Sequence, residues 1–260
     1  MTTSTTTEYM QQSSKAAPAA KQILQQVKFE LLLTTRRGEN VLVTLILPVL
    51  LLIFFTSLNV GPVTHEKTVN FLLPGILAIA IIAAGMVNLG IATAYERYYG
   101  VLKRLGSSPL SRSGLIIAKI ISILILEVVQ VAILVGIAIL LYGWQPAGSA
   151  LLMLLTIVLG TVTFASFGLA MAGALRAEAT LAGANALFLV FLLIGGGILP
   201  LEHLPPLLAT IALLLPAAPL AQALQATMNN GTVFPATQLL TLAVWAIIVL
   251  IVAVRTFKWE

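Results

Sequence analysis

Six stretches of this chain are apolar for long enough to cross a bilayer, which leaves few folds open. They cover residues 41–60, 71–93, 115–142, 150–174, 180–199 and 238–254. A hydrocarbon core about 30 Å thick takes roughly 20 helical residues. Inside it, every backbone N–H and C=O must find its partner within the protein, so the spans are read as helices. Of the 260 residues, 59% are hydrophobic and only 9% charged, against roughly 25% charged in soluble domains. The expectation is an all-α integral membrane protein. Cysteine is absent, which excludes disulfides, thiolate metal sites and thiol chemistry; aspartate is absent too.

The cations set the topology. Lys15, Lys21, Lys28, Arg36 and Arg37 precede the first span. Arg97, Lys103, Arg104, Arg112 and Lys119 follow the second, Arg176 the fourth, and Arg255 and Lys258 the sixth. Only Lys67 falls on the other side, so the positive-inside rule places both termini in the cytoplasm. The net charge of +5 is then explained by span ends facing lipid phosphate, and no nucleic-acid partner is needed. Residues 199–235 hold Pro200, Pro205, Pro206, Pro216, Pro219 and Pro235, half of the twelve prolines. The apolar run 207–215 between them is too short to span and reads as an outer re-entrant hairpin. If this segment crossed the membrane, Arg255 and Lys258 would lie outside.

Residues 1–20 read as a disordered cytoplasmic tail rich in Thr, Ser and Gln, with no signal-peptide core. Residues 21–37 read as an amphipathic interfacial helix: Ile23, Val27 and Leu31 recur at helical spacing beside Leu24, with Lys28, Glu30, Arg36 and Arg37 supplying polar character. Pro48 and Pro74 are expected to bend the first two spans. Trp144, in the turn 143–149, is expected to anchor at the interface. Gly195, Gly196 and Gly197 point to close packing or a helix break.

The densest polar segment, residues 95–112, carries Arg97, Lys103, Arg104 and Arg112 against Glu96. Val101, Leu102 and Leu105 predict a short surface helix over 96–105, capped by Gly106 and followed by Pro109. Ser108 is expected to cap the next helix. Within the spans, Glu127 lies midway along the third. An ionised carboxylate there is costly, so it must face protein or water or be protonated. Gln130, one turn on, is in reach of a hydrogen bond to it. An interhelical hydrogen bond, a substrate contact and a proton relay all remain open for Glu127. Asn88 and Asn185, in the second and fifth spans, are candidates for helix association or for a polar path. No catalytic constellation is present. The two histidines, His65 and His203, both fall in outer loops and offer no metal site. No Gly-x-x-x-x-Gly-Lys-Ser/Thr loop occurs, so ATP is not bound in the P-loop manner.

Glu96-Arg97, Gly100-Val101-Leu102-Lys103-Arg104-Leu105 and Ser108-Pro109-Leu110-Ser111 resemble the cytoplasmic signature of ABC-2 type (type V) exporter permeases. The run from Phe191 through Gly197 to Pro200, with Leu204-Pro205-Pro206, Leu215-Pro216 and Pro219-Leu220, is similar to that family's outer hairpin. The resemblance extends over residues 21–260 and is nearest to daunorubicin-resistance-like subunits. It implies a multi-pass subunit of the bacterial plasma membrane that exports amphipathic drugs, antibiotics or lipids. Polysaccharide or lipid-linked glycan export is the alternative within the family, and proton-coupled transport through Glu127 the alternative outside it. It implies as partners a second permease copy and a separate nucleotide-binding subunit, which would hold ATP and magnesium. Coupling to that subunit would run through Glu96, Arg97, Gly100, Leu102, Lys103, Arg104, Leu105 and Pro109, and the first, second and fifth spans would line the path.

Overall fold

The computed structural model describes residues 17–36, 38–59, 67–229 and 234–259, and side chains 38–43 are not part of that description. The expectations for the tail and for the outer loop with His65 fall on residues outside it. Among the described residues the chain is helical, with no strand. In order, the helices are α1 (Ala19–Arg36), α2 (Gly38–Ser57), α3 (Thr68–Tyr98), α4 (Val101–Gly106), α5 (Arg112–Tyr142), α6 (Ala150–Ala174), α7 (Ala177–Ile194), α8 (Pro206–Leu214), α9 (Ala217–Asn229) and α10 (Ala236–Thr256). Helices α3, α5, α6, α7 and α10 are long and apolar enough to cross a membrane. The 20 residues of α2 match a core of about 30 Å at 1.5 Å per residue. Helices α8 and α9, in the segment expected to form the hairpin, meet at 81°, the bend of either a re-entrant loop or a broken span.

α3 is the central helix. Leu72, Leu73, Ile76, Leu77 and Ile81 are all buried, because α2, α5, α6 and α9 pack around it. Lipid tails are as apolar as leucine, so such helices associate through close packing rather than the hydrophobic effect. Small residues make the approach possible. A Cβ on Gly75 would overlap the carbonyl oxygen of Gly197, and one on Gly90 would come within 2.9 Å of the Gly168 backbone. Gly195 caps α7 and Gly196 takes φ +70°, so the glycine triplet both ends the fifth span and packs against the second. It therefore stops at Ile194, short of the expected residue 199. The outer faces carry exposed Leu140, Leu151, Leu240 and Ile247, as lipid contact requires.

Four local expectations are corrected. The second span does not stop at 93 but continues unbroken to Tyr98. The surface helix is accordingly not 96–105: Glu96 and Arg97 belong to the last turn of α3, Gly100 breaks the helix at φ +72°, and only Val101–Gly106 remains as α4. Ser108 does not cap α5. Ser111 does, its hydroxyl accepting from the Gly114 N–H at 3.0 Å, while Ser108 donates back to the Leu105 carbonyl at 2.6 Å. Trp144 is no interfacial anchor, since it is buried in the main core. The left-handed Gly143 turns the chain back over α5 and carries the indole inward.

Along α3, residues Ala83–Leu89 form a π-helical segment. Such wide turns cost hydrogen-bond quality and cluster at functional sites. This one faces α6, where a Cβ on Gly85 would meet the Ala165 backbone at 2.7 Å.

Candidate functional site

The basic end of the bundle is organised by one buried cation. Lys119, about two turns into α5, is 1% exposed. Its ammonium lies 2.7 Å from Glu96 Oε2 on α3 and 3.0 Å from Glu30 Oε1 on α1. Gln26, one turn before Glu30, donates to Glu30 Oε1 at 2.9 Å. A charge removed from water survives only when paired and hydrogen-bonded, so this triad joins the N-terminal helix, the end of the second span and the start of the third. Sequence reasoning counted Lys119 as a topology marker and left Glu30 on a polar face. The available signal was a lone lysine inside an apolar run, which needs a partner.

Beside the triad, Arg97 points the other way. Its guanidinium donates to the Gly173 carbonyl at 2.8 Å and also to the Leu175 carbonyl. These are among the last carbonyls of α6, which the helix itself cannot satisfy. The chain then turns at Gly100 into α4. Leu102 is buried with Leu89, Leu115 and Phe257, and Leu105 and Trp259 pack on the same cluster. A Cβ on Gly106 would come within 3.1 Å of the Trp259 ring. The segment after α10 therefore supports α4 from beneath. The outer side of α4 presents Lys103 and Arg104, with exposed Pro109 and Arg112 following. Tyr98 and Tyr99 stand exposed next to it, and Tyr99 stacks on Tyr95 with centroids 6.0 Å apart.

Behind the triad lies a cavity of about 110 Å³, walled by α1, α2, α3 and α5. Of the four intramembrane polar residues singled out, Asn88, Glu127 and Gln130 line it. Asn185 does not. It sits on the outer face of α7 and bonds only the Leu181 carbonyl at 2.8 Å. Asn88 donates to the Thr44 hydroxyl at 3.1 Å, and Gln130 to the Thr44 carbonyl at 2.6 Å. The expected Gln130–Glu127 bond is not made; Gln130 is turned to α2 instead. The Thr161 hydroxyl on α6 bonds Glu127 Oε2, and Glu127 Oε1 is left without a partner. Among the described residues no cluster of potential metal ligands occurs, and the exposed His203 closes a short turn, Leu201–His203.

Residues 21–229 match the family model described as ABC-2 type transporter. The chain belongs to the ABC-2 type transporter family. The matched region of this ABC-2 chain takes in the triad, α4 and the cavity. Among similar proteins is one named as the transport permease ycf38 of Porphyra purpurea, 32% identical over 70% of this chain and 65% of its own length. Two more are named as multidrug ABC transporter permeases of Escherichia coli K12. YbhR is 27% identical over 52% of this chain and 37% of itself, and YbhS is 22% identical over 63% and 44%. The chain thus spans less than two thirds of the length of these relatives.

Proposed function

We propose that this chain is the membrane-embedded permease subunit of an ATP-driven exporter that moves amphipathic drugs or lipids across a bacterial plasma membrane. The observation that carries the reading is the connection between α4 and the spans. α4 is a short helix with a basic, tyrosine-flanked outer side. It follows α3 directly through Gly100, and Glu96 at that junction is bonded to Lys119 of the third span. A push on α4 is delivered to α1, α3 and α5 together.

The family match supports a separate nucleotide-binding subunit as the source of that push, binding ATP and magnesium on the cytoplasmic side, where the basic residues would lie. The names of the Escherichia coli relatives support drug-like cargo. Asn185 supports a second permease copy: its amide is satisfied only within its own helix, on an exposed face shared with Leu181 and Leu189, and a neighbouring helix would cover it.

The test is reconstitution in nanodiscs and vesicles with a candidate ATPase subunit. The expected result is nucleotide-dependent flux and hydrolysis stimulated by the chain. Replacing residues 101–106 by a Gly/Ser segment of equal length is expected to abolish both. Normal transport with that replacement, or flux without any ATPase, overturns the proposal.

A further inference from the structure

Glu127 Oε1 is the one carboxylate oxygen in the described structure that is buried and has no hydrogen-bond partner. Leaving such an atom unmatched costs of the order of 1–3 kcal/mol, more for a charged group. Glu127 is one of the residues lining the cavity behind the triad, so the surroundings of its carboxylate bear on what the cavity can hold.

Three features define that occupant. The ionisable groups lining the cavity are Glu30, Glu96, Glu127 and Lys119. Glu30 and Glu96 are matched to Lys119, which leaves Glu127 as the carboxylate not matched by a cation. The amide nitrogens of Asn88 and Gln130 each give one N–H to Thr44, and each side chain keeps its oxygen as an acceptor beside one further N–H. The remaining wall is mostly apolar, with Leu33, Leu45, Ala84, Leu89, Ile123 and Leu126 beside the hydroxyls of Thr34, Thr44 and Ser122. An acceptor-rich pole in a mostly greasy chamber fits an organic cation better than a metal ion, which would need several oxygen ligands at once.

We infer that this cavity binds the protonated amine of an amphiphile, with the ammonium donating to Glu127 Oε1 and the apolar part lying along α2, α3 and α5. Its position gives access. Glu127 lies eight residues beyond Lys119 on α5, about 12 Å deeper along the helix axis. The cavity therefore runs from the basic end to mid-span. Asn88 and Val129 at its edges are exposed on the outside of the bundle, so an amphiphile can enter sideways from the bilayer. The site lies wholly within one chain. Its role as the first station of export rests on the function proposed above, but its binding chemistry does not.

The experiment measures binding and transport separately. The complete chain, in nanodiscs of phosphatidylglycerol, is titrated with a fluorescent long-chain amine and with the matched alcohol, which has the same tail and no charge. Glu127→Gln keeps the shape and removes the charge. The expected result is a loss of at least about tenfold in amine affinity with the alcohol unchanged, the size of one charge-assisted hydrogen bond. Ala92→Phe, which fills the chamber, is expected to weaken both probes. Equal amine affinity in wild type and Glu127→Gln, or equal losses for amine and alcohol, overturns the inference. If Glu127→Gln does not fold, Ala92→Phe decides: unchanged amine binding there overturns it. Repeating the titration with phosphatidylethanolamine in the nanodisc separates two sources of the same chemistry. Competition identifies a lipid headgroup as an occupant, and its absence assigns the site to free amphiphiles. Amine binding without nucleotide-driven flux would keep this inference and remove the exporter reading; flux without amine selectivity would do the reverse.

Discussion

Arg97 closes the end of a helix other than its own. From the last turn of α3 its guanidinium donates to the Gly173 carbonyl at 2.8 Å and to the Leu175 carbonyl, tying the second span to the fourth just before the turn at Gly100 into α4. Two carbonyls two residues apart at a helix end suit a forked donor, and an ammonium cannot bridge them in the same way. Arg97→Ala is expected to cost about 2 kcal/mol, the loss of charged hydrogen bonds to carbonyls. Arg97→Lys is expected to recover less than half of it. Thermal unfolding in nanodiscs checks both, and a lysine variant as stable as wild type would show that charge alone suffices.

Lys119 makes a sharper test, because its removal strands two acids. Glu30 and Glu96 converge on one ammonium, and breaking a buried ion pair by deleting one partner typically costs about 3–5 kcal/mol. Lys119→Met alone is expected to lower thermal stability by an amount of that order. Adding Glu30→Gln and Glu96→Gln to it is expected to restore most of the stability, since neutral groups tolerate the site. The coupling readout should separate from stability: the triple variant is expected to fold yet respond poorly to nucleotide. A triple variant no more stable than Lys119→Met would count against the triad.

Glycine positions separate packing from conformation. Gly75→Ala places a methyl group onto the Gly197 carbonyl, with backbone on both sides and no rotamer to escape through. Loss of the folded protein is expected. Gly136→Ala, with nothing within 4 Å of the new atom, is expected to be neutral or to stabilise by up to about 1 kcal/mol. Gly100→Ala also meets open space, but at φ +72°, and is expected to cost about 1–2 kcal/mol. Melting temperatures of the three variants, expressed side by side, give the order.

The spans were legible because lipid enforces them. Helix ends such as Ala150–Ala174 agree with the hydropathy reading to the residue, and the bend between α8 and α9 follows from the proline-broken apolar run. Asn88, Glu127 and Gln130 were visible as polar side chains in apolar surroundings. What hydropathy could not supply is azimuth. It did not show that Gln130 turns to Thr44 rather than to Glu127, or that Asn185 faces outward. It also could not bring Glu30 and Glu96 to Lys119, because that pairing depends on how three helices pack. Trp144 was misplaced for a related reason: composition marks it as amphipathic, and only the left-handed turn at Gly143 directs it into the core.

The wide turn over Ala83–Leu89 gives the second span a phase as well as a length. A π segment accommodates more residues per turn than an α-helix, so everything after it is rotated relative to what comes before. The first half of the span presents Leu72, Leu73 and Ile76 to the core; the second half aims Glu96 at α5 and Arg97 at α6. Wound as an uninterrupted α-helix, the same residues would put those two side chains on other bearings. The orientation of the charged end is thus held by seven residues that carry no charge themselves.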